Sequence, residues 1–109
     1  MRRMTQPQYF HGTTDLARSV ELRRTAILER LERAGGTNVR VFGSLTRGED
    51  GPTSDVDLLV DFRSTLSLFE LARLEEELSD LVGTRVDVVD AGHLRPHLRT
   101  RVLEEAVAV

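Results

Sequence analysis

Two short apolar runs constrain this chain more than anything else in it, because each is interrupted by polar residues at a fixed spacing. Val39–Phe42 runs directly into Gly43-Ser44, and ten residues separate Ser44 from the triplet Asp55-Val56-Asp57, which opens the run Leu58-Leu59-Val60. In an extended strand, side chains at i and i+2 share a face and lie about 6.5–7 Å apart along the chain. Asp55 and Asp57 therefore project together, while Val56, Leu58 and Val60 pack the other way. Their own strand offers nothing to offset their mutual repulsion. A hard divalent cation with oxygen ligands relieves it, and Mg²⁺ suits a site built from few carboxylates that leaves room for phosphates.

Gly43-Ser44 supplies a complementary element. A glycine at a strand end lets the backbone approach a ligand closely or adopt positive φ, and an adjacent serine is a candidate helix cap whose neighbouring N–H groups face an anion. A triphosphate fits such a place. Arg47, one turn further on, is a candidate to add positive charge there; its other reading is a structural ion pair with a nearby acid.

A third acid lies on another predicted strand. Thr84-Arg85-Val86-Asp87-Val88-Val89-Asp90 alternates so that Asp87 faces one side and Val86 and Val88 the other. If this strand lies beside Leu58–Asp61, Asp87 joins the pair. Three carboxylates on one sheet face can bind two metal ions about 4 Å apart, with Asp87 the candidate to draw a proton from an attacking hydroxyl. Asp61 and Asp90 close their strands and are left out of the site.

This combination resembles the minimal nucleotidyltransferases, the smallest members of the DNA polymerase beta-like superfamily. The resemblance covers about Val39 to Leu103, with Arg47-Gly48-Glu49 after the Gly-Ser and a closing segment, Leu94 to Ala106, similar to the family's final helix. It implies that Gly43 and Ser44 bind the nucleotide, that Asp55 and Asp57 coordinate Mg²⁺, and that Asp87 is the third acid. It implies transfer of a nucleoside monophosphate, AMP from ATP foremost, to a hydroxyl. Many such proteins resemble antitoxins paired with a HEPN-type toxin that is inactivated by adenylylation of a tyrosine. Neutralisation by complex formation alone, without catalysis, is the alternative; a small domain with a solvated acidic turn and no ligand is the blandest one.

Composition narrows these choices. A chain of 109 residues fits one small domain, with no room for a second lobe to hold an acceptor. The acceptor is then better presented by another protein. A formal net charge of −3 with scattered arginines argues against a nucleic-acid acceptor. Neither lysine nor cysteine occurs, which removes a Walker A lysine, a Schiff base, thiol catalysis and cysteine-based zinc sites. Sugar-transferring enzymes that also use Asp-x-Asp need a larger nucleotide-binding region ahead of it. No signal-peptide pattern and no run near the ~20 apolar residues of a membrane span are visible, so a cytoplasmic location without membrane association is expected.

The expected architecture is α/β (α+β), a small mixed sheet with helices mainly on one face. Residues 1–14 read as a flexible leader and 15–109 as a single domain. One helix is predicted from Asp15 to Ala34, stopped by Gly35-Gly36, with strands over Val39–Phe42 and Val56–Asp61 and a short helix after Ser44. Leu68, Leu71, Leu74, Leu78 and Leu81 predict a helix over Leu66–Val82, with Glu75-Glu76-Glu77 mostly on its solvated side, where they serve solubility. A last helix starts near Pro96. Gly51-Pro52 reads as a turn shaping the loop over the nucleotide. His93 and His97 are four apart, but Pro96 places His93 ahead of the helix and no acid or thiol completes a metal set.

Overall fold

In the computed structural model, which describes Phe10, Gly12 and residues 14–48 and 54–109, helices and strands alternate as expected. The order is α1 (Asp15–Leu22), α2 (Arg24–Arg33), β1 (Gly36–Phe42), α3 (Ser44–Arg47), β2 (Val56–Phe62), α4 (Leu68–Val82), β3 (Val86–Asp90), a 3-10 turn (Ala91–His93), α5 (Pro96–Glu105) and β4 (Val107–Ala108). The four strands form one sheet in the order β3-β2-β1-β4. β1 runs antiparallel to both β2 and β4, whereas β2 and β3 are parallel. The sheet is thus mixed, as expected, and the parallel pair is joined by α4, the crossover helix such a pair requires.

Period-two burial decides which face of the sheet receives the helices. Val56, Leu58 and Val60 of β2 are fully buried and join Val86 and Val88 of β3 in one cluster with Ile27, Leu31, Leu74 and Leu78. Fully burying one such aliphatic side chain is worth about 1.5–3 kcal/mol, so this cluster dominates the fold's stability. Asp57 and Asp87, at the intervening positions, are only half-buried on the opposite face. Leu59 shares that face and is fully buried, so the acid-bearing side is covered along part of β2 and open at the aspartate end.

α4 also closes an edge of the sheet. Ser79 Oγ accepts from the Val86 N–H at 2.9 Å, and Glu75 Oε2 accepts from the Val88 N–H at 2.7 Å. Four residues of helix rise about 6.0 Å and two residues of strand about 6.6 Å, so an i, i+4 helical pair can serve an i, i+2 strand pair. Glu75 is therefore a correction to the expectation that the Glu75-Glu76-Glu77 run only solvates α4. An unpaired strand edge offers donors that must find acceptors, and Glu75 supplies one. Glu77 sits 3.7 Å from Arg30, and Glu76 is exposed.

Several boundaries differ from expectation for local reasons. The single helix predicted over Asp15–Ala34 is two helices that meet at Arg23, whose backbone lies at φ −99°, ψ 11°. The break falls beside Arg24, which interrupts the apolar stripe of Ala17, Val20, Ile27 and Leu31 and sends Nη2 to the Phe10 carbonyl. β1 starts three residues before the predicted Val39. It does so through a bulge, in which Thr37 and Arg40 face Asp61 and Leu59, with Asn38 at φ 52° absorbing the extra residue. α4 starts at Leu68 because Ser67 and Glu70 form a reciprocal capping box. β4 has no signal of its own in the sequence; it is two residues long.

Phe10 corrects another expectation. Assigned to the leader, it is 3 % exposed within the core cluster, and its N–H donates to the Ala108 carbonyl. The rest of that assignment, apart from Gly12 and Thr14, lies outside the described residues, as does the Gly51-Pro52 turn. Thr14 caps α1 by accepting from the Ala17 N–H at 3.0 Å. Among the described residues no helix is long and apolar enough to cross a membrane.

Candidate active site

The parallel pairing of β2 and β3 sets the geometry of the acids. The register places Asp57 opposite Asp87, and Val56 opposite Val86. One residue earlier, Asp55 and Arg85 precede the paired segments, anchored by the Val56 N–H donating to the Arg85 carbonyl at 2.9 Å. Two-residue alternation then puts Asp55, Asp57, Asp87 and Arg85 on a single face, as the four corners of a patch. Three of the predicted site residues are brought together in this way.

Burial and neighbouring charge act together on the central member. Burial, then the carboxylates of Asp87 and Asp55, push the Asp57 carboxyl above the ordinary aspartate range, while Arg85 pulls it back down. Like charges on adjacent strands disfavour ionisation, and the same arrangement favours an added cation. The donor set, three carboxylates on a partly open face, fits a divalent metal by its chemistry. Among the described residues, however, no three acid or histidine side chains converge on a point where one ion could be held. Two of the three acids are instead turned towards Arg85. Its Nε lies 3.1 Å from Asp87 Oδ1 and 3.9 Å from Asp55 Oδ2.

Gly43 touches this patch from β1. Phe42 pairs with Asp57, and the chain leaves β1 through Gly43 at φ 83°, ψ −154°. A Cβ at Gly43 would lie 2.7 Å from Asp57 Oδ2. The position therefore requires glycine twice, for its backbone angles and for the room it leaves to the carboxylate. The carbonyl of Gly43 accepts from Thr46 N at 3.1 Å and Thr46 Oγ1 at 2.8 Å, which fixes the turn that follows.

Ser44 stands differently from what its residue type suggested, and Arg47 makes the structural ion pair that was one of its two readings. Gly43 occupies the cap position of α3, and Ser44 is the first residue of that single turn, so Ser44 is not its cap. Arg47 Nη1 pairs with Glu105 Oε1 of α5 at 2.7 Å, the structural ion pair that was its other reading. Asp61 and Asp90 are engaged elsewhere. Asp61 accepts from Arg40 and Asn38, each at 3.0 Å, and Asp90 accepts from the Gly92 N–H at 2.9 Å. His93 lies 3.8 Å from Asp90, and His97 is exposed on α5.

Arg85 is the residue that sequence reasoning overlooked. The signal was present, since Arg85 stands two positions before Asp87 on the same alternating segment.

Comparison with known proteins identifies the family and the fold. Residues 24–109 match the family described as the nucleotidyltransferase domain. The protein adenylyltransferase MntA of Thermococcus cleftensis is 46 % identical over 78 residues, which cover 72 % of this chain and 79 % of that protein. A solved structure provisionally described as a minimal nucleotidyltransferase is 43 % identical, with a TM-score of 0.77 over 91 % of this chain and 100 % of the other. A toxin–antitoxin structure with AMP-PNP is 24 % identical and shares the fold, with a TM-score of 0.67 over 75 % of this chain and 68 % of that one. With its strand-borne acids, its Gly43 turn and a match across most of its length, the chain belongs to the nucleotidyltransferase domain family.

Proposed function

We propose that this protein is a Mg²⁺-dependent protein adenylyltransferase that moves AMP from ATP to a hydroxyl of a partner protein. The observation that carries the reading is the register of β2 and β3, which sets Asp57 beside Asp87 with Asp55 on the same face and Gly43 packed against Asp57. The adenylyltransferase name of a relative 46 % identical supports the donor and the acceptor class. Asp55, Asp57 and Asp87 would hold the metal, two ions in this reading. When bound, the metal supplies charge neutralisation of the triphosphate and lowers the pKa of the attacking hydroxyl.

The chain's own residues account for the rest. Gly43 and Ser44 give the triphosphate a close backbone approach beside Asp57. Asp87, half-buried and next to Asp57, receives the proton of the acceptor hydroxyl. The hydroxyl oxygen forms a bond to the α-phosphorus, and the bond from that phosphorus to the bridging oxygen breaks. Pyrophosphate leaves with the electron pair. Arg47 enters this reading as a nucleotide contact that would have to release Glu105 first.

In this reading the hydroxyl arrives on another protein, the acceptor class that the name of the 46 % identical relative carries. The partner we propose is a HEPN-type toxin, in the cytoplasm where ATP and Mg²⁺ are available. The toxin–antitoxin assembly that shares the fold supports that class of partner. The first test is thermal unfolding with Mg²⁺ and a non-hydrolysable ATP analogue. Ligand that binds only the folded state raises the melting temperature, by an amount equivalent to about 2.7 kcal/mol at a hundredfold excess over Kd. A rise that Asp55→Asn/Asp57→Asn removes is expected, and an unchanged melting temperature in the parent protein would overturn the reading.

A further inference from the structure

The acid patch carries its own cation. Arg85 stands at its fourth corner, next to Asp55 across the β2–β3 pair and two residues before Asp87. Its backbone is fixed, because the Arg85 carbonyl accepts from the Val56 N–H. Its side chain is not enclosed, being 72 % exposed while its Nε reaches Asp87 Oδ1 at 3.1 Å and Asp55 Oδ2 at 3.9 Å. We propose that Arg85 is the resident counter-cation of the acid patch, the group that a divalent ion must displace from Asp87 and Asp55 in order to bind. This inference rests on the metal-binding reading above.

Three physical points support it. The oxygens that Arg85 engages belong to two of the three carboxylates that would ligate a metal, so the two cations compete for the same lone pairs. A guanidinium is permanently charged, so proton loss cannot clear it from the patch and only movement can. Exposed ion pairs are weak, and a side chain this open can swing into water at small cost. Arg85 then holds the carboxylates together before metal arrives and sets a modest threshold for its entry. It is a positioning residue: it acts through the acids and need not touch the reacting atoms.

The experiment uses the full chain labelled with nitrogen-15. The arginine Nε–Hε signals are followed during titration with MgCl₂ against NaCl of matched ionic strength, the Arg85 signal being assigned by its loss in Arg85→Gln. We expect that signal to start displaced from those of free arginine side chains and to move to their position as Mg²⁺ saturates. In parallel, calorimetry with Mn²⁺ should give a Kd about threefold to fivefold tighter for Arg85→Gln, the scale expected when a weak exposed pair no longer competes. Arg73→Gln, which removes the same charge from the exposed side of α4, should leave Kd unchanged. If the parent binds metal while the Arg85 signal stays in place, or if Arg85→Gln binds no tighter than Arg73→Gln, the inference is overturned and the metal site stands. Absence of metal binding in the parent overturns both.

Discussion

Replacing Gly43 by alanine should damage stability and site together, and the two effects can be separated. At φ 83°, ψ −154°, Gly43 lies in a region essentially reserved for glycine, where a side chain costs about 1–3 kcal/mol. The added Cβ would also stand 2.7 Å from Asp57 Oδ2. Real Cβ atoms do not approach so closely, so either Asp57 rotates or the end of the β1–β2 pair opens. For a domain of this size each kcal/mol lowers the melting temperature by about 4–8 °C, so a fall of roughly 5–20 °C is expected. The rise in melting temperature on adding Mn²⁺ should shrink as well, because the displaced carboxylate is a proposed metal ligand. Gly48→Ala is the control. Gly48 is left-handed at φ 69°, ψ 22°, with nothing among the described residues within 4 Å of a Cβ, so it bears only a conformational cost of about 1–2 kcal/mol. Differential scanning fluorimetry with and without Mn²⁺ measures both quantities. If Gly43→Ala melted with the parent and kept its full metal response, the steric argument for the site would be wrong.

Other perturbations probe neighbouring parts of the argument. Asp57 has a raised pKa in the folded protein, so between its ordinary value and the raised one the folded state binds more protons than the unfolded state. This contribution makes stability fall as pH rises through that window, and the ionised carboxylate keeps its cost above it. Asp57→Asn should therefore melt higher than the metal-free parent at neutral pH, with the difference shrinking below pH 4; a lower melting temperature at pH 7 would contradict this. Glu75→Ala leaves the Val88 N–H without its acceptor and should cost about 1–3 kcal/mol in urea unfolding, whereas Glu75→Gln, which keeps an acceptor, should cost less. Ser67→Ala removes the α4 cap and should cost about 1 kcal/mol, with metal binding unchanged.

The elements that sequence made legible are those whose evidence is local. Alternation in Val56–Val60 and Val86–Val88, and the three- and four-residue steps of Leu71, Leu74, Leu78 and Leu81, each follow from one period and one buried face. The meeting of Asp57 with Asp87 was conditional on strand order, and β2 and β3 supply it by pairing in parallel. What stayed hidden depends on contacts between segments far apart in the chain. Glu75 looks like a solvated acid until β3 presents a free N–H to it, and Phe10 looks like a leader residue until β4 meets its backbone. Arg85 was visible by alternation alone, yet its partner Asp55 lies on another strand. Arg47 had two readings because its choice depends on Glu105, which lies 58 residues away.

Intact-mass spectrometry tests most directly whether the acid patch transfers AMP to a partner protein. The protein is incubated with ATP, Mg²⁺ and a candidate HEPN-type toxin, alongside Asp55→Asn/Asp57→Asn and a reaction without metal. The toxin is expected to gain mass in whole adenylyl units, mapped to a hydroxyl side chain, only with the parent protein and metal. A toxin left unmodified, and neutralised equally well by the parent protein and by the double variant, would contradict AMP transfer and establish neutralisation by binding.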